Sequence, residues 1–298
     1  MPDITVPSNN LTTRLPILRI LKERLFIVLC IIGTVFGVLA LVTLFYQVFV
    51  DGWHRLSWDF LTSMPSRHAD RAGVLPALVG TLWLLVLTTL VTVPLGIGSA
   101  VYLEEFAPKN RLSKLIQVNI ANLAGVPSIV YGLLGLAIFV RTLSLERSLA
   151  AAALTMSLLI LPMVITASQE AIRAVPNSFR EGSLALGATR WETVRNAVLP
   201  SAYSGILTGV ILGLSRALGE AAPLIAIGAA TFVSTVPKSP MEEGFTVLPI
   251  QIFNWADRPK REFLENSAAA IIVLMTVILV FNLLAAILRT KARKRTRA

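Results

Sequence analysis

The chain has 298 residues, of which 55% are hydrophobic and 15% charged; its mean hydropathy is +0.72 and its formal charge +10. So apolar a composition excludes an ordinary soluble domain. One cysteine (Cys30) and two histidines (His54, His68) exclude a disulfide framework, a Cys/His zinc cluster and most nucleophile–histidine catalysis.

The first 24 residues are mostly polar and carry Arg14, Arg19, Lys22 and Arg24. A hydrocarbon core of about 30 Å needs roughly 20 apolar residues to cross as a helix. Six runs qualify, over about 25–50, 75–103, 115–140, 148–168, 203–233 and 267–288. The first is longer than a signal-peptide apolar region and has no small-residue cleavage pattern after it, so it reads as a retained anchor. With the amino terminus inside, the inner segments collect seventeen of the 27 Lys and Arg, the outer loops nine, and a span one. The whole net charge of +10 then sits on the inner face. The Lys/Arg bias therefore predicts both termini in the cytoplasm. The basic tail 289–298 reads as a stop-transfer flank touching anionic lipid rather than as a nucleic-acid arm.

In chain order, the first outer loop offers Trp53, Trp58 and Phe60 as interfacial anchors. Span two contains Thr88, Thr89, Thr92 and Pro94, and span three contains Asn119, Asn122 and then Gly125-Val-Pro-Ser128. A kinked or locally open backbone is expected in span three, either lining a watered passage or packing against a neighbouring helix.

The segment 176–200, between spans four and five, is too polar to cross and too patterned for a slack linker. Ser178-Phe-Arg-Glu181 and Thr189-Arg-Trp-Glu192 both fit a capping box, and Gly187 between them fits a left-handed helix stop. The expected structure is a short helix, a tight turn and a second short helix ending at Leu199-Pro200. Phe179, Leu184, Leu186, Trp191 and Val194 supply apolar contacts for a groove on another protein. A plain connector lying on the bilayer surface is the competing reading. The register Glu181-Gly182-Ser183, three residues, Gly187, nine residues, Ala197-Val-Leu199-Pro200 resembles the signature loop of ABC importer permeases. That loop usually reads Glu-Ala-Ala at its start and has Ile after the nine residues that follow the glycine, so Gly182, Ser183 and Ala197 depart from it. The resemblance implies that Glu181, Gly182, Ser183, Gly187, Leu199 and Pro200 seat the chain on an ATP-binding subunit. No lysine here lies in a Gly-x-x-x-x-Gly-Lys-Ser/Thr context, so no ATP or Mg site is expected on this chain; both belong to that partner.

Span five carries two charges, Arg216 and Glu220. Charge at the bilayer centre costs on the order of 2.5–3.5 kcal/mol on insertion scales. At 100° per residue Gly205, Gly209, Gly213, Arg216, Glu220 and Pro223 share an arc of roughly 80°, so the pair is expected to face a helix interface or a watered passage. Either it locks packing as an ion pair, or the guanidinium meets a passing oxyanion while the carboxylate takes a proton from hydrogen phosphate, which sulfate does not offer.

The segments 215–223 (Ser-Arg-Ala-Leu-Gly-Glu-Ala-Ala-Pro), 125–132 (Gly-Val-Pro-Ser-Ile-Val-Tyr-Gly) and 248–256 (Leu-Pro-Ile-Gln-Ile-Phe-Asn-Trp-Ala) together resemble phosphate ABC importer permeases of the PstA type. The likeness runs through nearly the whole chain beyond the first 25 residues. It implies an all-α, six-span permease of the type I importer fold in the bacterial inner membrane, with the permease domain at 25–288. It also implies a second permease of the PstC type, a PstB-type ATPase dimer, a PstS-type phosphate-binding protein outside and a link to phosphate signalling. Arg216 and Glu220 are then the substrate-pathway residues, with no catalytic or metal-binding residue on the chain. Permeases for sulfate, molybdate or phosphonate share the loop and remain the nearest alternative. A proton-coupled secondary transporter is the rival from another class.

Overall fold

The computed structural model describes residues 17–229, 233, 235–241 and 244–295, without the side chains of 17–20 and 292–295. Arg14, Ser234 and Arg297 and the side chains of Arg19, Arg293, Lys294 and Arg295 therefore lie outside what is described. Every regular element among the described residues is helical.

The chain divides into two compact units, 1–48 and 49–298. In the first, the described part belongs to α1 (Ile17–Trp53), a continuous helix with no charge from Leu25 to Val50. Its apolar residues are exposed, as in a span whose solvent is lipid.

The second unit is a bundle around α6 (Leu149–Arg173). Ser148 caps α6 by accepting a hydrogen bond from Ala151 N at 3.3 Å. Its small residues Ala151, Ala152 and Ala153 are buried, so neighbouring helices approach closely. α3 (Leu75–Val101) packs along α6, and α9 (Leu199–Gly219) packs on it with a glycine face. A Cβ at Gly205 would stand 2.7 Å from Ala171 Cβ, and one at Gly213 would stand 3.1 Å from Val164 Cγ2. The small-residue stripe is thus an α6–α9 interface. α12 (Arg261–Arg295) lies against α9, joined inside the apolar region by Ser215 Oγ donating to Asn282 Oδ1 at 2.7 Å. Thr88 and Thr92 are buried in the packed face of α3, while the Thr89 hydroxyl bonds its own helix at Leu85 O. Thr88 and Thr92 therefore pack in the bundle instead of lining an open channel.

Span three is a sharply bent pair. α4 (Arg111–Leu123) and α5 (Ser128–Gly135, continued as a π turn to Thr142) meet at 104°. Pro127 precedes α5 and has no N–H to continue α4, and Tyr131 Oη donates to the freed carbonyl of Leu123 at 2.7 Å across the break. With this pair counted as one span, the described residues hold six candidate crossings, the other five being long single helices.

At the end of the bundle where α3 begins, α2 (Trp58–Thr62), a single 3-10 turn (Ala69–Arg71) and α11 (Leu248–Ala256) build a small second core. The rings of Phe60 and Trp255 pack there with centroids 5.9 Å apart, tilted by 38°. Arg55 ties the layer together by donating to Asn266 Oδ1 and to the carbonyls of Ala69 and Asp70, all at 2.6 Å. Phe60 and Trp255 are thus buried in this core, where the sequence suggested interfacial anchors, because they pack on each other; Trp53 and Trp58 are exposed.

Candidate functional site

Two regions at opposite ends of α9 contain the residues singled out from the sequence. At one end lies the hairpin formed by α7 (Asn177–Ala185) and α8 (Arg190–Thr193). α7 begins at Asn177 directly after Pro176, so Ser178 falls inside the helix and the predicted capping box with Glu181 does not form. The second box does form: Thr189 Oγ1 accepts from Glu192 N at 3.3 Å and the Glu192 carboxylate accepts from Thr189 N at 2.8 Å. The bond from Thr189 N, together with a second from Thr189 Oγ1 at 2.8 Å, holds the exposed Glu192 carboxyl below the ordinary carboxylate range. The sign is that of a depressed acid: the cap is fully present above the ordinary carboxylate pKa and is lost as pH falls through the lower, folded value.

Between the helices Gly187 has φ +85°. Ala188 N donates to Ser183 O at 3.2 Å and Gly187 N to Leu184 O at 3.0 Å, the paired bonds of a Schellman stop. Thr193 Oγ1 donates to Ser183 Oγ at 3.0 Å, closing the hairpin. Glu181 and Gly182 are exposed, and so are Phe179, Leu184, Trp191 and above all Leu186, at 91%. These apolar side chains are left open on an otherwise polar hairpin. The predicted stop at Leu199-Pro200 is not observed. A π turn over Val194–Val198 carries α8 straight into α9, so 190–219 forms one long helix with Pro200 in its early turns. The wider turn delivers the chain to a proline that has no N–H to donate.

At the other end α9 stops at Gly219. The predicted continuous span through Glu220 and Pro223 is broken: Glu220 has φ −87° and ψ 117°, and a short helix, α10 (Ala222–Ile227), follows. The cause is Pro223, whose ring in a continuous helix would strike the carbonyl four residues earlier, at Gly219. Arg216 and Glu220 nevertheless meet, Arg216 Nε donating to Glu220 Oε1 at 3.3 Å. Arg216 is 48% exposed and Glu220 23%. The pair sits at a helix break rather than mid-helix, about 24 Å along α9 from Pro200 at 1.5 Å per residue.

Here the two broken spans join. α5 packs on α10 so closely that a Cβ at Gly132 would stand 2.6 Å from Pro223 Cα and 2.6 Å from its carbonyl oxygen. Tyr131, next in sequence, lies within electrostatic range of Arg216. Segments 125–132 and 215–223, far apart in the chain, therefore build one locus. Gly132→Ala is expected to destabilise by about 1–3 kcal/mol because the Pro223 backbone and the Ala226 Cβ, at 2.7 Å, are rigid atoms that stand in the way. A lower melting temperature of the purified variant checks this, and an unchanged one refutes the close approach.

Sequence reasoning overlooked Glu104 and Glu105, which lie with Phe106 in a π turn (Tyr102–Phe106) closing α3 beside the hairpin. Also unforeseen was a cavity of about 800 Å³ bordered by Arg141, Arg147 and Glu146 at the far side of the α5–α10 junction. Among the described residues no group of three or more His, Cys, Asp or Glu is placed to hold a metal ion.

An exposed hairpin thus stands at one end of a long helix, and a charged pair at a helix break at the other. Residues 92–294 match the family described as binding-protein-dependent transport system inner membrane component, and the chain belongs to that family. It is thus a multi-pass plasma-membrane subunit of a transporter, and not itself an enzyme. The chain is 35% identical to the probable ABC transporter permease protein YqgI of Bacillus subtilis, over 87% of this chain and 92% of that one. It is 34% identical to the phosphate transport system permease protein PstA 1 of Mycobacterium tuberculosis, over 88% and 86% respectively. A bacterial alginate ABC transporter superposes with a TM-score of 0.65 at 16% identity, covering 90% of this chain and 94% of that one. The MetNI methionine ABC transporter gives 0.56 at 16%, covering 74% and 94%. The fold is therefore that of ABC importer permeases.

Proposed function

We propose that this chain conducts inorganic phosphate inward as one permease of an ATP-driven importer, with ATP and Mg bound by a partner ATPase at the hairpin 176–200. The observation that carries the reading is Arg216, half exposed at the junction of two broken spans and tethered by Glu220. A guanidinium there is free to bind two oxygens of a passing phosphate. The relatives named as phosphate transport permeases support that solute. Both termini and the hairpin lie in the cytoplasm on this reading, as the Lys/Arg bias requires. Arg141 and Arg147 then border the outer mouth of the path. The assembly comprises a PstC-type permease, a PstB-type ATPase dimer and a PstS-type binding protein, with a tie to phosphate signalling.

The test is labelled-phosphate uptake in cells lacking this chain, restored by the wild type with excess sulfate as competitor. Restored, ATP-dependent uptake indifferent to sulfate supports the reading, and sulfate competition or persistence without ATP overturns it. Glu220→Gln removes the proton acceptor and is expected to narrow the preference for phosphate over sulfate about tenfold, one hydrogen bond's worth of discrimination. An unchanged rate and preference would reduce Glu220 to a tether.

A further inference from the structure

Three consecutive residues of the π turn that closes α3 reach three different elements. Glu104 Oε1 accepts from Gln169 Nε2 at 3.1 Å, and its carboxylate pairs with Arg173, both at the end of α6. Glu105 Oε1 accepts from Arg180 of α7, from Nε at 3.0 Å and from Nη2 at 2.7 Å. Phe106 packs its ring 6.4 Å from that of Trp191 on α8. The Glu105–Arg180 pair is the enclosed one, at 13% and 19% exposure. Arg180 uses its remaining donors on the carbonyls of Ile172 (2.9 Å) and Val175 (2.7 Å), where α6 ends and carbonyls lack helical partners.

We infer that Glu105 is a positioning residue for energy coupling, a clamp that passes movement of the α7–α8 hairpin to α3. The inference rests on the hairpin being the seat of the ATPase. The hairpin has two mechanical outlets. One is direct: α8 continues into α9 as a single helix ending at Arg216. The other runs through Arg180, whose guanidinium is shared between the end of α6 and the carboxylate of Glu105. Without the second outlet the hairpin's hold on α3 is weakened, the Phe106–Trp191 ring contact remaining, and α3 lags behind α9.

The fold survives loss of Glu105 for a stated reason. Arg180 keeps the carbonyls of Ile172 and Val175 at the end of α6, a favourable place for a cation, so the hairpin retains its seat on α6 and the charged tie to α3 is released while the Phe106–Trp191 ring contact remains. A mere brace and a transmitting clamp thus give different phenotypes.

The experiment uses the assembled complex in liposomes, with Cys30→Ser and a single thiol introduced by Leu95→Cys on the exposed face of α3. Thiol labelling is compared with and without ATP and vanadate, a readout independent of the transported solute. The tie predicts a change in labelling rate with Glu105 present and at least a fivefold smaller change in Glu105→Ala, with Glu105→Gln, which keeps an acceptor, between them. Glu105→Ala is also expected to capture the ATPase subunit and hydrolyse ATP as the parent does, while moving about tenfold less phosphate per ATP. An equal labelling change in parent and Glu105→Ala overturns the clamp, as does no change in the parent or a transport loss matched by lost ATPase capture. If Glu105→Ala does not assemble, Glu105→Gln decides by the same comparison. A parent that changes labelling with ATP but moves no phosphate rejects the phosphate reading and leaves the clamp standing.

Discussion

Replacing Arg216 with glutamine lowers labelled-phosphate uptake about 100-fold at matched membrane levels, the equivalent of losing roughly 3 kcal/mol of charge-assisted hydrogen bonding to an anion. The protein itself remains assembled. Arg216 is half exposed and its pair with Glu220 is a single contact at 3.3 Å, so the pair contributes only about 0–1 kcal/mol to folding. A packing role predicts the opposite balance, with a fall in protein level and a small fall in uptake per molecule. Lysine at this position keeps the charge but not the planar fork, and is expected to restore part of the rate, leaving uptake about tenfold low. Uptake per molecule by Arg216→Gln equal to that of the wild type removes this residue from the solute path.

The charged pair was legible in the sequence because charge in an apolar run is costly and rare, and its partner stood four residues away. Its setting was less legible. Counting hydropathy ran span five through Glu220, although Pro223 requires a break near Gly219 for steric reasons that do not register in hydropathy. The bend in span three was legible for the matching reason, since Gly125 and Pro127 sit inside an otherwise apolar run. What no local pattern contained was that these two breaks meet, with Gly132 on Pro223 and Tyr131 near Arg216. That contact joins residues some ninety positions apart and depends on α6 holding both helices. The hairpin shows the same division. Gly187 and the Thr189 box follow from residues within one turn of each other, whereas the Arg180–Glu105 tie joins two loops through a π turn that the sequence does not announce. Pro176 also moved the start of α7 forward by its own local preference, which overrode the serine and glutamate spaced for a cap.

Gly187→Val is expected to reduce both ATPase capture and phosphate uptake about 5- to 30-fold while the spans insert normally, since a β-branched residue in the left-handed region costs about 1–2 kcal/mol or more. The residue has φ +85°, and nothing lies within 4 Å of where its Cβ would be. The penalty is therefore one of backbone conformation inside this chain. The two Schellman bonds, to Ser183 O and Leu184 O, fix the direction in which α8 leaves α7, and with it the placing of Leu186 and Trp191. A strained turn releases those bonds and misaligns the apolar row. The same open space would also admit a partner surface, so a large side chain there can act by obstruction instead. Asparagine and alanine separate the two causes. Asparagine is the larger but tolerates the left-handed region better, so backbone strain ranks Gly187→Asn above Gly187→Ala in ATPase capture. Obstruction ranks them the other way, because then only size counts. Capture by Gly187→Val at the wild-type level would show that the turn does not set the docking geometry at all.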